Sequence, residues 1–127
     1  MSDPAATPTS VVVCINDLIF ETKIRSTAQT MGLSVRTVRT PSQMATELAQ
    51  GEPQTVIIDL NTAGGDASGA IRAAKAAPQP PRVIAFFSHV DAELARAAKD
   101  ASADEVMPRS RFHNELRRLL SGQLPSA

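Results

Sequence analysis

Tryptophan and tyrosine are absent from this 127-residue chain, and phenylalanine occurs only four times. The chain therefore has no large aromatic platform on which nucleic-acid bases would stack. Cysteine occurs once, at Cys14. An internal disulfide is excluded, and a reducing compartment is the default. Neither sign of charge is in excess, because 13 basic residues offset 13 acidic ones. Such a balance does not suggest a broad electrostatic grip on nucleic acid. No apolar run approaches the roughly 20 residues that cross a bilayer as a helix. The opening "MSDPAATPTS" lacks the basic start and apolar core of a secretory leader. These absences predict a cytoplasmic protein with no nucleic-acid and no membrane partner.

What is present is a regular alternation. Residues 1–10, with Pro4 and Pro8 among Ser, Thr and Ala, read as a disordered lead. Residues 11–121 read as one domain, and residues 122–127 as a short tail. "VVVCI" at Val11–Ile15 is an apolar run suited to a strand covered on both faces. Asp17 precedes Ile19, Phe20, Ile24, Ala28 and Met31 at helical spacing, and Gly32 is a natural stop. "SVRTV" alternates like an edge strand. Ser42 is expected to cap a short helix carrying Met44 and Leu48 and closed by Gly51. "TVIIDL" reads as a third strand. Ala67, Ala70, Ile71 and Ala74 then share one helical face.

"RVIAFFS" reads as a fourth buried strand, and Asp91 caps a helix with Leu94, Ala95 and Ala98 inward. "DEVMP" is a short fifth strand. Ser110 is expected to cap a last helix with Phe112, Leu116, Leu119 and Leu120 inward. Arg117 and Arg118 stand near its C-terminus, where the helix dipole favours positive charge. Five strands alternating with five helices predict an α/β fold with a doubly wound parallel sheet. The strand order 2-1-3-4-5 with right-handed crossovers is the common solution at this length. That order sets the ends of strands 1 and 3 side by side, with Asp59 at the end of strand 3. A carboxylate there needs a reason, because burying it unpaired costs several kcal/mol or forces it to take up a proton.

With those residues placed, residues 11–121 resemble the receiver domain of response regulators, the CheY-like group with a flavodoxin-like fold. The resemblance implies a phosphoryl acceptor at Asp59 and a phosphoryl-contacting hydroxyl at Ser88. It puts Arg109 where the family has a lysine. It also implies that Asn61 supplies a backbone carbonyl to Mg²⁺. "FFSHVDAEL" and "EVMPRSRF" resemble small stand-alone receiver-like proteins.

The departures from the family pattern concern the metal and the switch. Receivers carry an acidic pair at the end of strand 1, and the corresponding residues here are Ile15 and Asn16. Mg²⁺ asks for several hard oxygen ligands in a near-octahedral shell. Asp59, Asn61 and Asp17 make a weak or absent Mg²⁺ site, and Asp17 reads more simply as a helix cap. In "MPRSRF" the proline precedes Arg109 instead of following it. Arg109 is a planar fork where the family has a compact ammonium. Val106 stands in place of the switching aromatic. An ion pair between Asp59 and Arg109 is expected, since both end strands at one crevice.

Other chemistries fit less well. Ser88, His89 and Asp91 are close in sequence, but adjacent residues leaving a strand point apart, and no G-x-S-x-G motif is present. "NTAGG", with Gly64 and Gly65, has neither phosphate-loop pattern. His89 and His113 are too few and too far apart for zinc. Cys14 reads as a small buried strand residue.

The expected protein is not an enzyme. It is a divergent, stand-alone pseudo-receiver of the two-component type, acting through signalling partners such as a histidine kinase, with acceptor chemistry weakened or lost. A phosphorylation-independent docking module and small-molecule binding at the switch point are the alternatives. The family communicates through its fourth helix, fifth strand and fifth helix. His113, Arg117, Arg118 and Arg96 are the expected interface residues there, joined by Glu93, Lys99 and Asp100. Their mixed charge suits a homodimer about a two-fold axis.

Overall fold

The computed structural model describes residues 10–51, 53–61, 66–88 and 91–122. The lead to Thr9, the tail from Gln123, Gly64, Gly65 and His89 lie outside them.

Five strands form one all-parallel sheet in the order β2-β1-β3-β4-β5. They are β1 (Val11–Cys14), β2 (Val35–Val38), β3 (Thr55–Asp59), β4 (Arg82–Phe87) and β5 (Glu105–Pro108). The helices are α1 (Leu18–Thr30), α2 (Pro41–Gln50), α3 (Ala67–Lys75), α4 (Ala92–Asp100), α5 (Arg109–Asn114) and α6 (Leu116–Ser121). The predicted fold class, strand order and edge position of β2 are all found.

The central strands are apolar on both faces because both faces are covered. Val11, Val13, Ile15, Ile57, Ile84, Phe86 and Met107 pack under α1, α5 and α6. Val12, Cys14, Val56, Ile58, Val83 and Ala85 pack under α2, α3 and α4. The alternation along each strand follows the two-residue period of side chains. Phe86 and Phe112 stack at 4.5 Å, and Phe20 meets each of them edge-on at 5.5 Å.

Helix ends follow local chemistry. Asp17, Asp66 and Asp91 accept from backbone N–H groups in the first turns of α1, α3 and α4. At the end of α1, Gly32 adopts φ +74°. Leu33 N–H returns to Ala28 O at 2.9 Å, and Gly32 N–H returns to Gln29 O at 3.1 Å. This is the Schellman arrangement, which glycine adopts without strain.

Two expected caps are corrected. Thr40, not Ser42, caps α2, accepting from Gln43 N–H at 3.1 Å. Pro41 occupies the first helical position, where its missing N–H costs nothing. The last helix starts at Arg109 behind Pro108, with no side-chain cap from Ser110. It is also interrupted at Glu115, so the single helix expected is two short ones.

Candidate functional site

The parallel pairing aligns Cys14 with Ile58, Asp59 with Phe86, and Phe87 with Pro108. Asp17, Asp59, Asn61, Ser88 and Arg109 therefore gather at the C-terminal edge of the sheet. Ligands bind at such an edge, where the strand order reverses.

Asp59 ends β3 half-buried, and its Oδ1 accepts the Asn61 N–H at 2.9 Å. Asn61 Oδ1 in turn accepts the Ser88 N–H at 2.6 Å. The Asn61 side chain thus ties the end of β3 to the end of β4, while Ser88 itself is exposed. Cys14 lies buried beneath. Burial, and secondly the negative charge of Asp59, push its thiol up to about 11.

Arg109 departs from expectation. Its ion-pair partner is Asp17, at 2.5 Å, rather than Asp59. Its guanidinium also lies 4.5 Å from the centre of the Phe20 ring, a cation–π contact. Asp17 is doubly engaged, because its Oδ1 accepts from Ile19 and Phe20 N–H at 3.0 Å each. The Phe20 N–H first, and Arg109 next, hold its carboxyl below the usual aspartate range. The planar fork pairs with the cap of α1 and lies over the Phe20 ring at once.

The residues offered for Mg²⁺ do not fit that ion well. Ile15 is fully buried in the core. The Asn16 amide donates to Arg39 O at 3.2 Å. Asp17 is spent on the cap and the guanidinium. No group of three or more His, Cys, Asp or Glu side chains suited to a metal occurs among the described residues. Hard cations need several oxygens aimed at one point.

The expected interface residues do not share one face. Arg118 is 14% exposed and bonds Glu105 at 2.9 Å and Glu115 at 2.7 Å. Glu105 also takes Arg82 at 2.6 Å. Hydrogen bonding to Glu105 raises the Arg118 pKa above its ordinary value. His113 and Arg117 turn instead towards α1, where His113 stacks on Phe20 at 6.1 Å and Arg117 reaches Thr30 Oγ1 at 3.3 Å. Arg96 is exposed on α4, away from that pair. Val106 is half-buried against the core face under α4.

Sequence reasoning missed the Glu105 cluster and the role of Phe20. It also missed Glu21, which accepts from Arg39 at 2.7 Å and Arg25 at 3.2 Å. Burial pushes the Glu21 carboxyl up, but hydrogen bonds from Arg39, Thr37 and Arg25 outweigh it and hold the value down. The threonine–proline pair before α2 was the one legible signal among the misses.

No family model and no curated protein matches the chain. Solved structures do. The signal receiver domain of the putative response regulator NarL from Mycobacterium tuberculosis superposes with a TM-score of 0.75 at 16% identity, covering 91% of this chain and 94% of that one. A CheY-like receiver domain protein from Methanospirillum hungatei JF-1 gives 0.76 at 11% identity, covering 92% and 97%. The fold is that of a receiver domain. The phosphorylated cyanobacterial phytochrome response regulator RcpA shares it as well, at a TM-score of 0.72 and 16% identity, over 91% of each chain. At these identities the receiver likeness concerns architecture. No helix among the described residues is long and apolar enough to cross a membrane.

Proposed function

We propose that this chain is a receiver-like signalling module of the two-component type that works by protein–protein contact, with phosphoryl-acceptor chemistry at Asp59 weakened or lost. The observation that carries the reading is the Asp17–Arg109 ion pair. An active acceptor needs a metal to screen the incoming phosphoryl group and a cation free to follow the new charge. Here Asp17, one of the side chains offered for the metal, holds Arg109, and the cation is engaged at the start of α1. Were transfer to occur, an Asp59 oxygen would attack phosphorus and the donor would leave with the bonding electrons. Ser88 and Arg109 would be the contacts for the transferred group. Mg²⁺ binding is weak or absent in this reading, and Val106 gives no aromatic switch.

The test is incubation with a small-molecule phosphoryl donor and Mg²⁺, read by intact mass, with Asp59→Asn as control. The expected result is no stoichiometric phosphoprotein. Full modification that disappears in Asp59→Asn would overturn the reading.

A further inference from the structure

The edge of the sheet opposite Asp59 carries a cavity. It lies between α2 and α3, is lined also by the loops that lead into β3 and β4, and has a volume of about 310 Å³, within the range of small-molecule pockets. Its floor is buried, formed by Ala74 of α3 with Pro53 and Pro81 of the two loops. Its walls are small. Ala45 and Ala49, four residues apart, share one face of α2, and Ala73 lines the α3 side. Larger side chains there would fill the space that these methyl groups leave open. Among the described residues that line the cavity none is charged, and Gln79 alone has a polar side chain.

The end of α2 adds a second polar feature. The last four carbonyls of a helix have no partner inside it. The end of α3 is closed, since Ala76 N–H returns to the helix and Ala77 N–H returns to Ala74 O at 3.3 Å. The end of α2 is not. Its cap, Gly51, is extended at φ −160° and makes no return bond to the helix among the described residues. The residue four beyond Ala49 is Pro53, which has no N–H to give. The residue four beyond Gln50 is Gln54, whose N–H goes to Ser10 O at 3.0 Å. Among the described residues the Ala49 carbonyl therefore has no backbone donor, and the helix dipole makes this end negative. Lys75 is engaged elsewhere, bonding Pro81 O at 2.9 Å and Asp104 at 2.8 Å.

We propose that this cavity binds a small, uncharged, apolar molecule of one or two rings that carries a single hydrogen-bond donor and gives it to the Ala49 carbonyl. An anion would meet the negative end of α2 and no charged side chain in the lining. A cationic head would meet the Lys75 ammonium on Pro81. The proposal is independent of the acceptor reading, because the cavity and Asp59 lie at opposite edges of the sheet.

The probe is indole, which is apolar, uncharged and donates one N–H. The chain has no Trp and no Tyr, so indole fluorescence is read without a protein background. Saturable binding is expected with a Kd of about 0.1 mM, the scale for so small a ligand. 1-Methylindole lacks the donor and should bind about fivefold or more weakly, and indole-3-acetate, an anion, should not bind. Ala73→Leu and Ala49→Leu, at exposed positions on the two walls, should each weaken indole binding about tenfold or more by filling the cavity. Leucine is a good helix former, so unchanged circular dichroism is expected and separates a filled cavity from a lost fold. Asp59→Asn should bind indole as the native chain does, so a positive phosphorylation assay would sink the acceptor reading without touching this one. Uptake that does not saturate, equal binding of indole and 1-methylindole, or native affinity in both leucine variants overturns the proposal. A side chain of a second copy is the other occupant, and concentration-dependent association in sedimentation that indole reverses would overturn it as well.

Discussion

Asp17 performs two tasks with two oxygens, and substitution can separate them. Oδ1 caps α1, and Oδ2 holds Arg109. Asp17→Ser keeps a capping oxygen and loses the ion pair, whereas Asp17→Ala loses both. A cap of this kind contributes about 1 kcal/mol, within roughly 0.5–2. The ion pair is partly solvated, with side-chain exposures of 39% for Arg109 and 34% for Asp17, so it contributes no more than about 1 kcal/mol. Alanine should therefore cost about 1.5–2 kcal/mol and serine under about 1 kcal/mol. In a domain of this size each kcal/mol moves Tm by roughly 3–6 °C. Urea unfolding followed by circular dichroism measures both variants. The carboxyl titrates below its ordinary value of 3.8 in the folded chain, so the unfolded chain binds the proton first as pH falls. Its stabilisation is complete above the unfolded value and is lost as pH drops through the lower folded value. The gap between native and alanine chains should be flat near neutral pH and shrink below about pH 4. Equal losses for serine and alanine would refute the capping argument. A serine loss well above 1 kcal/mol would refute the assignment of a weak, solvated pair.

Arg118→Glu is expected to lower stability by about 2–4 kcal/mol in urea unfolding, because it sets a carboxylate against the 12%-exposed Glu105. Arg117→Glu, at an exposed position, should change it by less than about 0.5 kcal/mol. Ser102 closes α4 at φ +78°, a left-handed conformation that costs a side chain about 1 kcal/mol, so Ser102→Gly should raise Tm by a few degrees. Cys14 should react with a thiol reagent at pH 8 only after unfolding, and Asp59→Asn should lower its pKa only part-way, since burial is the larger cause. Calorimetric titration should find no Mg²⁺ binding tighter than about 1 mM in the native chain, and Asn16→Asp should tighten it by adding a hard oxygen.

The fold was legible because each strand and helix carries its own period. Valine and isoleucine runs marked strands covered on both faces, and Asp17, Asp91 and Gly32 marked helix ends at their own positions. The last helix was less legible, since the break at Glu115 shows no local sign such as glycine or proline. The site was legible only as a location. Strand order brings Asp59, Ser88 and Arg109 to one edge, but it does not say which way a long side chain turns. Arg109 and Asp17 are 92 residues apart and follow strands that are not neighbours. Arg109 also lies over the ring of Phe20, a contact that no local pattern announces. The Arg82–Glu105–Arg118 cluster was hidden for a similar reason. Arg82 and Glu105 meet across the neighbouring strands β4 and β5, and Arg118 joins them from α6, a meeting that a helix-dipole reading of Arg118 does not see.

The polar groups at the C-terminal edge share one pattern. The Asn16 amide ties the end of β1 to the end of β2 through Arg39 O. The Asn61 amide ties β3 to β4 through Ser88 N–H. Arg109, behind β5, ties itself to Asp17, behind β1. Of these bonds, the Arg109–Asp17 pair engages two side chains that the proposed phosphoryl and metal chemistry would need turned towards a ligand. The Asn16 and Asn61 bonds are exposed and the Arg109–Asp17 bond is part-buried, so opening any one of them costs no more than about 1 kcal/mol. Such lacing makes the edge stiff, and stiffness is useful to a surface that presents a fixed shape to a partner. A receiver that switches must instead keep two arrangements close in energy. Val106, too small for an aromatic swing, removes another of the moving parts. On the proposed reading, the side chains that engage one another at this edge favour a constitutive docking surface over acceptor chemistry.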